Sequence, residues 1–204
     1  MAKNKRIYVV GAGGQGRVVI SLLKLLKYEV VGVYDDNYIE GEVINGIPLI
    51  GALSAIKKND VLVLASGDDV KRKKLVSRFG PQILKDNLVH PRAYIEKGVE
   101  LGEANQFLAN SYVNVNVRIG SHNLFNSGCI VEHEVVVGDY NHISVGAIIC
   151  GRCVIASQCF VGAGAVVINN IEIEDGVILG ANSVVVDHVK SAGTYVGNPA
   201  RKIK

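Results

Sequence analysis

The chain has 204 residues, a formal net charge of +3 and no tryptophan. That length holds one large domain or two small ones. The modest charge, without a basic run interleaved with aromatics, gives no nucleic-acid footprint, and no apolar run approaches the roughly 20 residues of a membrane span.

Arg6 to Val10 reads as a buried strand, and its short apolar run carries no cleavage-site pattern of a signal peptide. Gly11-Ala12-Gly13-Gly14-Gln15-Gly16 follows at once, and Arg17 to Lys27 has the apolar spacing of a helix. Glu29 to Tyr34 is a second strand, ending in Asp35-Asp36. Val61 to Ala65 is another, followed by Ser66-Gly67-Asp68-Asp69 and a basic helix over Lys71 to Phe79. Strands alternating with helices across tight glycine turns predict a small parallel sheet over residues 1–85.

The glycine run satisfies Gly-x-Gly-x-x-Gly in strand-to-helix context, with Asp35 some twenty positions on. Three readings stand beside one another: a dinucleotide site, a nucleotide-sugar site, and glycines used only for close packing. The segment is short for a two-lobed dinucleotide domain. Bare amides at a helix N-terminus will bind phosphate of any origin.

From Val89 to Val185, every sixth residue is large and apolar, seventeen in succession. With 49% hydrophobic residues, such a run in one phase arises by chance at roughly 10⁻⁵. A period of six is the signature of a hexapeptide parallel β-helix, three hexapeptides closing a triangular coil. Residues two apart in an extended segment share a face. The positions two before each aliphatic therefore also point inward, and Ser111, Asn123, Cys129, Asn141, Ala147, Cys153, Cys159, Ala165 and Ser183 are suitably small. Gly120, Gly138, Asp139, Gly146, Gly162, Gly164 and Gly180 crowd the corners, where positive φ is expected. Each stacked aliphatic contributes roughly 1.5–3 kcal/mol on full burial, and neighbouring coils share that core. The pattern fades after Val185, so Asp187 to Tyr195 is predicted to leave the coil before a turn at Val196 to Ala200.

Cys129, Cys153 and Cys159 fall on the small inward phase, so the lone Cys150-x-x-Cys153 reads as packing rather than as a zinc or redox motif. Unpaired core thiols imply a reducing, cytoplasmic compartment. Of five histidines, His133 and His142 lie off the aliphatic phase and nine residues apart, half a coil. His133 stands between Glu132 and Glu134, and a carboxylate beside an imidazole fixes its tautomer and raises its basicity. A solvated surface pair is the bland alternative.

Glu132-His133-Glu134 followed by Val137-Gly138-Asp139-Tyr140-Asn141-His142 on this repeat resembles the sialic-acid O-acetyltransferase-like, bacillosamine-pathway sugar N-acetyltransferases. The resemblance extends over the glycine loop, Asp35-Asp36, the hexapeptides and the terminal Tyr195-Val196-Gly197-Asn198-Pro199-Ala200-Arg201. It implies a Rossmann-like α/β nucleotide-sugar domain over 1–85 and a left-handed parallel β-helix over 86–204 that binds acetyl-CoA. It further implies His133 as general base, Glu134 as the group that raises its basicity, and His142 at the thioester. Ala163 and Ala181 would line the CoA channel. Gly13, Gly14, Gln15, Asp35, Asp36 and Gly67 would bind a UDP-, GDP- or dTDP-linked amino sugar. No metal is implied, and the assembly would be a homotrimer. One departure is Gln15, where the family has His; Gln keeps hydrogen bonding but cannot charge.

The expected reaction is N-acetylation of a nucleotide-linked amino sugar in surface-glycan biosynthesis. Three rivals remain at this level. One is O-acetylation of a sialic acid or sugar hydroxyl. Another is a β-helix zinc hydratase, which needs three ligand histidines that His122, His133 and His142 do not supply at the right spacing. The third is a non-catalytic β-helix subunit of a larger assembly.

Overall fold

Five strands make the N-terminal sheet in the computed structural model, which describes residues 3–204. They are β1 (Lys3–Val10), β2 (Tyr28–Tyr34), β3 (Val43–Ile44), β4 (Ile47–Gly51) and β5 (Val61–Leu64), in the order β3-β4-β2-β1-β5. All neighbours are parallel except the β3–β4 hairpin. Helices α1 (Gly14–Leu25) and α2 (Asp69–Phe79) follow β1 and β5. Ile7, Val9, Val19, Ile20, Leu23, Val33 and Leu62 are fully buried between sheet and helices.

The chain leaves β1 toward β2 on one side, and β5 takes the other. The crevice beyond the ends of β1 and β5 is therefore a topological switch point, where open α/β sheets bind ligands. Helix α1 begins at Gly14 rather than Arg17, because its first turn is built from the glycines that propensity alone would exclude.

The second unit, Val89–Lys204, is a left-handed parallel β-helix of mostly two-residue strands on three walls. The first wall starts at Leu88–Val89 and includes Leu124–Phe125, His142–Ile143 and Phe160–Val161. The second includes Tyr112–Val113, Ile130–Val131 and Ile148–Ile149, and the third Arg118–Ile119, Val136–Val137 and Val154–Ile155. Strands pair in register eighteen residues apart, as Tyr112 with Ile130 and Leu124 with His142. From Phe107 to Val185 the sixfold aliphatics are at most 5% exposed, and Phe107 stacks on Phe125 at 4.7 Å. The small inward set is buried throughout.

Asn105, Asn123 and Asn141 form an internal ladder. Each side-chain oxygen accepts the N–H of the inward residue one coil on (2.7–2.9 Å), and each side-chain amide donates to a corner carbonyl. These buried polar groups are thereby satisfied.

Two corner expectations change. Gly146 and Gly164 have positive φ, but most left-handed corner positions carry other residues, including Asn116, His122, Glu134, Tyr140 and Arg152. Gly120, Gly138 and Gly162 instead serve close approach: a Cβ at Gly138 would lie 2.9 Å from the Ala156 carbonyl, and Gly180 packs against Val196. The segment Asp187 to Tyr195 also does not leave the coil. Val189 bridges Ile173, and Gly193–Val196 pairs in parallel with Val177–Leu179, in both cases sixteen residues apart. The corner after Val185 is two residues short, which moves the aliphatics out of the sixfold phase while keeping the wall.

Among the described residues no helix is long and apolar enough to cross a membrane.

Candidate functional site

The switch-point crevice is a cleft of about 390 Å³ lined by Gly13, Gly14, Gln15, Asp35, Asn37, Ser66, Gly67, Asp68 and Lys71, among others. The glycines divide the work. A Cβ at Gly11 would stand 2.7 Å from the Ala65 oxygen, and Gly16 is pressed against the Gly11 carbonyl. Gly13 and Gly14 have nothing within 4 Å of a Cβ position. The N-cap is Gly13, with no side-chain cap. The first-turn amides of α1 thus face open space with a partial positive charge, suited to an anion.

Asp35 accepts the Ala12 N–H (2.8 Å) and the Asn37 N–H (2.9 Å), so it ties the glycine loop to the end of β2. Burial alone would raise its carboxyl, but these two bonds and the Lys71 charge outweigh that and hold it below the usual range. Asp36 is outside the cleft lining; its carboxylate accepts the Leu53 N–H at 3.1 Å. Asp68 caps α2 by accepting the Lys71 N–H (2.7 Å), which sets the Lys71 stem at the cleft. Buried Arg72 donates to the Ser66 carbonyl (2.9 Å) and braces the loop that carries Gly67. Lys71, Asn37 and Arg72 were not among the sequence candidates. Their signal was their place just after strands β2 and β5.

In the coil, His133 and Glu134 occupy a corner between the second and third walls. Glu134 has φ of 61°, and the residues one coil either side, Asn116 and Arg152, share that left-handed conformation. His133 Nδ1 is 3.1 Å from Glu134 Oε2, and the side chain is 41% exposed. An ionised carboxylate only accepts, so Nδ1 carries the proton and Nε2 is left as the basic nitrogen. The same Oε2 accepts Arg152 Nε at 2.9 Å. The bond from His133, then the bond and charge of Arg152, hold the Glu134 carboxyl below its usual range. Glu132 faces elsewhere, accepting Asn114 Nδ2 at 2.6 Å.

The His133 ring lies over Gly151, one coil on: a Cβ there would come within 2.7 Å of Nε2. At this corner position Val115 N–H is closed by Asn114 Oδ1, and His133 N–H faces Glu132 Oε2 at 3.4 Å. Cys150 has no oxygen to do the same, and among the described residues the Gly151 N–H has no acceptor. The spacing that gave His133 would have given Gly151 and Arg152, had eighteen been added to each candidate.

His142 is on the first wall, 9% exposed, between inward Asn141 and Ile143 and therefore facing outward. It packs edge-on to Phe160 (5.0 Å), and its Nε2 is 3.4 Å from Asn126 Nδ2. Asn126, Ala163 and Ala181 all belong to the edge between the first and second walls, and both alanines are exposed. Ser127 N–H on this edge is closed by Asn126, whereas the N–H groups of Ala163 and Ala181 have no acceptor among the described residues. In one chain, then, His133 is at the vertex opposite the wall that carries His142.

None of the four cysteines is in a disulfide. Cys129, Cys153 and Cys159 are core residues, with the Cys129 thiol pushed up to about 12 by burial. Among the described residues no group of three or more His, Cys, Asp or Glu could hold a metal ion.

Comparison with known proteins gives a match to the PglD N-terminal domain over residues 6–79 and to the bacterial transferase hexapeptide (six repeats) over 152–187. The acetyltransferase domain of PglB from Neisseria gonorrhoeae in complex with acetyl coenzyme A superposes with a TM-score of 0.89 at 27% identity, covering 98% of this chain and 100% of that one. A histidine-to-alanine variant of GDP-perosamine N-acetyl transferase from Caulobacter crescentus, in complex with CoA and GDP-perosamine, gives 0.90 at 26%, covering 98% of each. An uncharacterized protein of Acanthamoeba polyphaga mimivirus is 30% identical over 101 residues; that match takes in 48% of this chain and 20% of the viral protein. The chain thus spans about a fifth of the length of that curated relative.

Proposed function

We propose that the chain, with its PglD N-terminal domain match and its hexapeptide transferase match, is a sugar N-acetyltransferase of the bacillosamine-pathway kind that transfers the acetyl group of acetyl-CoA to the amine of a nucleotide-linked amino sugar. The observation that carries this reading is His133 over Gly151. A ring nitrogen fixed as a base lies beside the Gly151 backbone N–H, which has no acceptor among the described residues, and an enzyme that catalyses thioester aminolysis uses both.

The amine attacks the thioester carbonyl carbon while His133 Nε2 takes its proton. Glu134 accepts a hydrogen bond from the Nδ1–H throughout, which holds that proton on the ring and stabilises the imidazolium. The Gly151 N–H donates to the oxyanion. Collapse of the tetrahedral intermediate breaks the C–S bond, and the departing thiolate takes the proton from His133, leaving amide and CoA. No covalent enzyme intermediate is required.

The N-terminal cleft is the nucleotide-sugar site in this reading. The diphosphate meets the Gly13–Gly14 amides and Lys71, while Asp35 and Asn37 face the nucleoside. Gln15 and Gly67 complete the lining, and Asp36 acts at one remove through the Leu53 loop. Acetyl-CoA lies along the edge of Ala163 and Ala181, whose open N–H groups suit the two amides of its pantetheine arm, with the thioester at His142.

Because His133 and His142 face away from one another in one chain, the complete site needs a second copy. The outward column of the second wall is apolar throughout: Tyr94, Tyr112, Ile130, Ile148, Val166 and Val184. That column suits packing against a neighbour's wall, and a closed trimer satisfies all copies at once. Free thiols and a cytoplasmic co-substrate favour the cytoplasm.

The test is a screen of UDP-, GDP- and dTDP-linked amino sugars with acetyl-CoA, following thiol release, with the hydroxyl-only sugars as controls. Release with an amine and none with its hydroxyl analogue is expected. Release only with the hydroxyl sugar would replace N- by O-acetylation, and no release with any acceptor, although acetyl-CoA binds, would overturn the reading.

A further inference from the structure

We propose that Arg152 is a positioning residue for the His133 base, sharing the carboxylate oxygen of Glu134 and thereby limiting how strongly that carboxylate favours the protonated imidazole. The inference rests on His133 being the base. Its starting point is that Glu134 Oε2 is shared: His133 Nδ1 is at 3.1 Å and Arg152 Nε at 2.9 Å from the same atom.

The arrangement follows from the coil. Glu134 and Arg152 are eighteen residues apart and occupy the same left-handed corner position on successive turns, so their side chains emerge one above the other. The backbone locks them together as well, since Arg152 N–H donates to the His133 carbonyl at 3.0 Å. The charged and titratable residues of this corner are Glu132 and Glu134 beside His133 in sequence and Cys150 and Arg152 one coil on, with neutral Asn114 and Val115 one coil before. Glu132 is held by Asn114, which leaves Glu134 and Arg152 as the opposed pair closest to the ring.

A base must be unprotonated to act. Glu134 alone, with the imidazole as its sole partner, would stabilise His⁺ and move the acidic limb of activity upward. Arg152 takes part of that charge. It also fixes the carboxylate rotamer through its Nε. The side chains are 46% and 63% exposed, and a pair so exposed contributes little to folding. Removing it should therefore change titration rather than stability.

The experiment compares Arg152→Met and Arg152→Lys with the wild-type protein by NMR titration of the His133 ring and by the pH profile of kcat/KM for acetyl transfer. Arg152→Met should raise the His133 midpoint and the acidic kinetic limb together, by about half a unit to one unit. Activity should fall roughly three- to tenfold below that limb and return to near wild-type at high pH. Arg152→Lys keeps the charge and should leave the limb within a few tenths of a unit. A loss uniform across pH, with the NMR midpoint unmoved, overturns the proposal. If the NMR midpoint moves and the kinetic limb does not, the pairing stands and His133 is not the base.

Discussion

His133 and His142 are nine residues apart in sequence and on opposite sides of one coil, the first at the vertex between the second and third walls and the second on the outer face of the first wall. An eighteen-residue triangular turn makes this unavoidable, because half a turn from a corner is the facing wall. A site that uses both must take them from different copies.

Mixing inactive chains tests that. His133→Ala and His142→Ala variants should each be nearly inactive alone. Co-folded in equal amounts, a productive interface needs one chain of each kind in the right order. Half times half gives recovery of about a quarter of wild-type activity for a symmetric ring. Co-expressed variants that assemble yet show no recovery would sink the shared site.

Loss of the base should appear in the chemical step alone. His133→Ala should lower kcat by 10²–10⁴ with little change in either KM. Its side chain is 41% exposed and no part of the stacked core, so the melting temperature should hold. Glu134→Ala should cost less, since it removes only the support. If His133→Ala keeps more than about a tenth of kcat with chemistry rate-limiting, the solvated surface pair is the correct account.

Much of this was legible in residues, and the misses have physical reasons. Each sixfold aliphatic points inward whatever its neighbours do, so the wall could be read from one residue in six. The βα cleft was legible because the glycine run stands between a strand and a helix, although Gly11 and Gly16 serve close packing and only Gly13 and Gly14 stand open. The β3–β4 hairpin at Val43–Gly51 was missed although Asn45-Gly46 stands at its turn; its strands are too short to show a period. The last coil was missed because two deleted corner residues shift the phase. Gly151 and Arg152 were missed for a different reason: they meet His133 and Glu134 across a coil, and local pattern reading looks only along the chain.

Gly151 tests the bed of the imidazole. An alanine Cβ would stand 2.5 Å from His133 Cε1 and 2.7 Å from Nε2, so the ring must move. Backbone φ at Gly151 is not in the left-handed region, and the coil itself should tolerate the methyl. Gly151→Ala should therefore fold with an unchanged circular-dichroism spectrum and lose about 10²-fold in kcat, a size typical of displacing a catalytic group. Near wild-type turnover would mean that the position of the His133 ring over Gly151 does not matter to the reaction.

The cleft in the first unit should answer to phosphate chemistry rather than to nicotinamide. Lys71→Met removes the cation beside the open Gly13–Gly14 amides while leaving the Asp68 cap, which is made by the Lys71 backbone, in place. The expected result is a rise in the nucleotide-sugar Kd of about tenfold, the size of one charge-assisted contact, with acetyl-CoA affinity unchanged. Asp36→Ala should have a smaller effect, because its carboxylate holds the Leu53 N–H and does not line the cleft. Calorimetric titration with each ligand separates the two sites. A Lys71→Met protein that binds nucleotide-sugars as tightly as wild type, or a wild-type protein that binds NAD at micromolar concentration and nucleotide-sugars not at all, would overturn the assignment of this cleft.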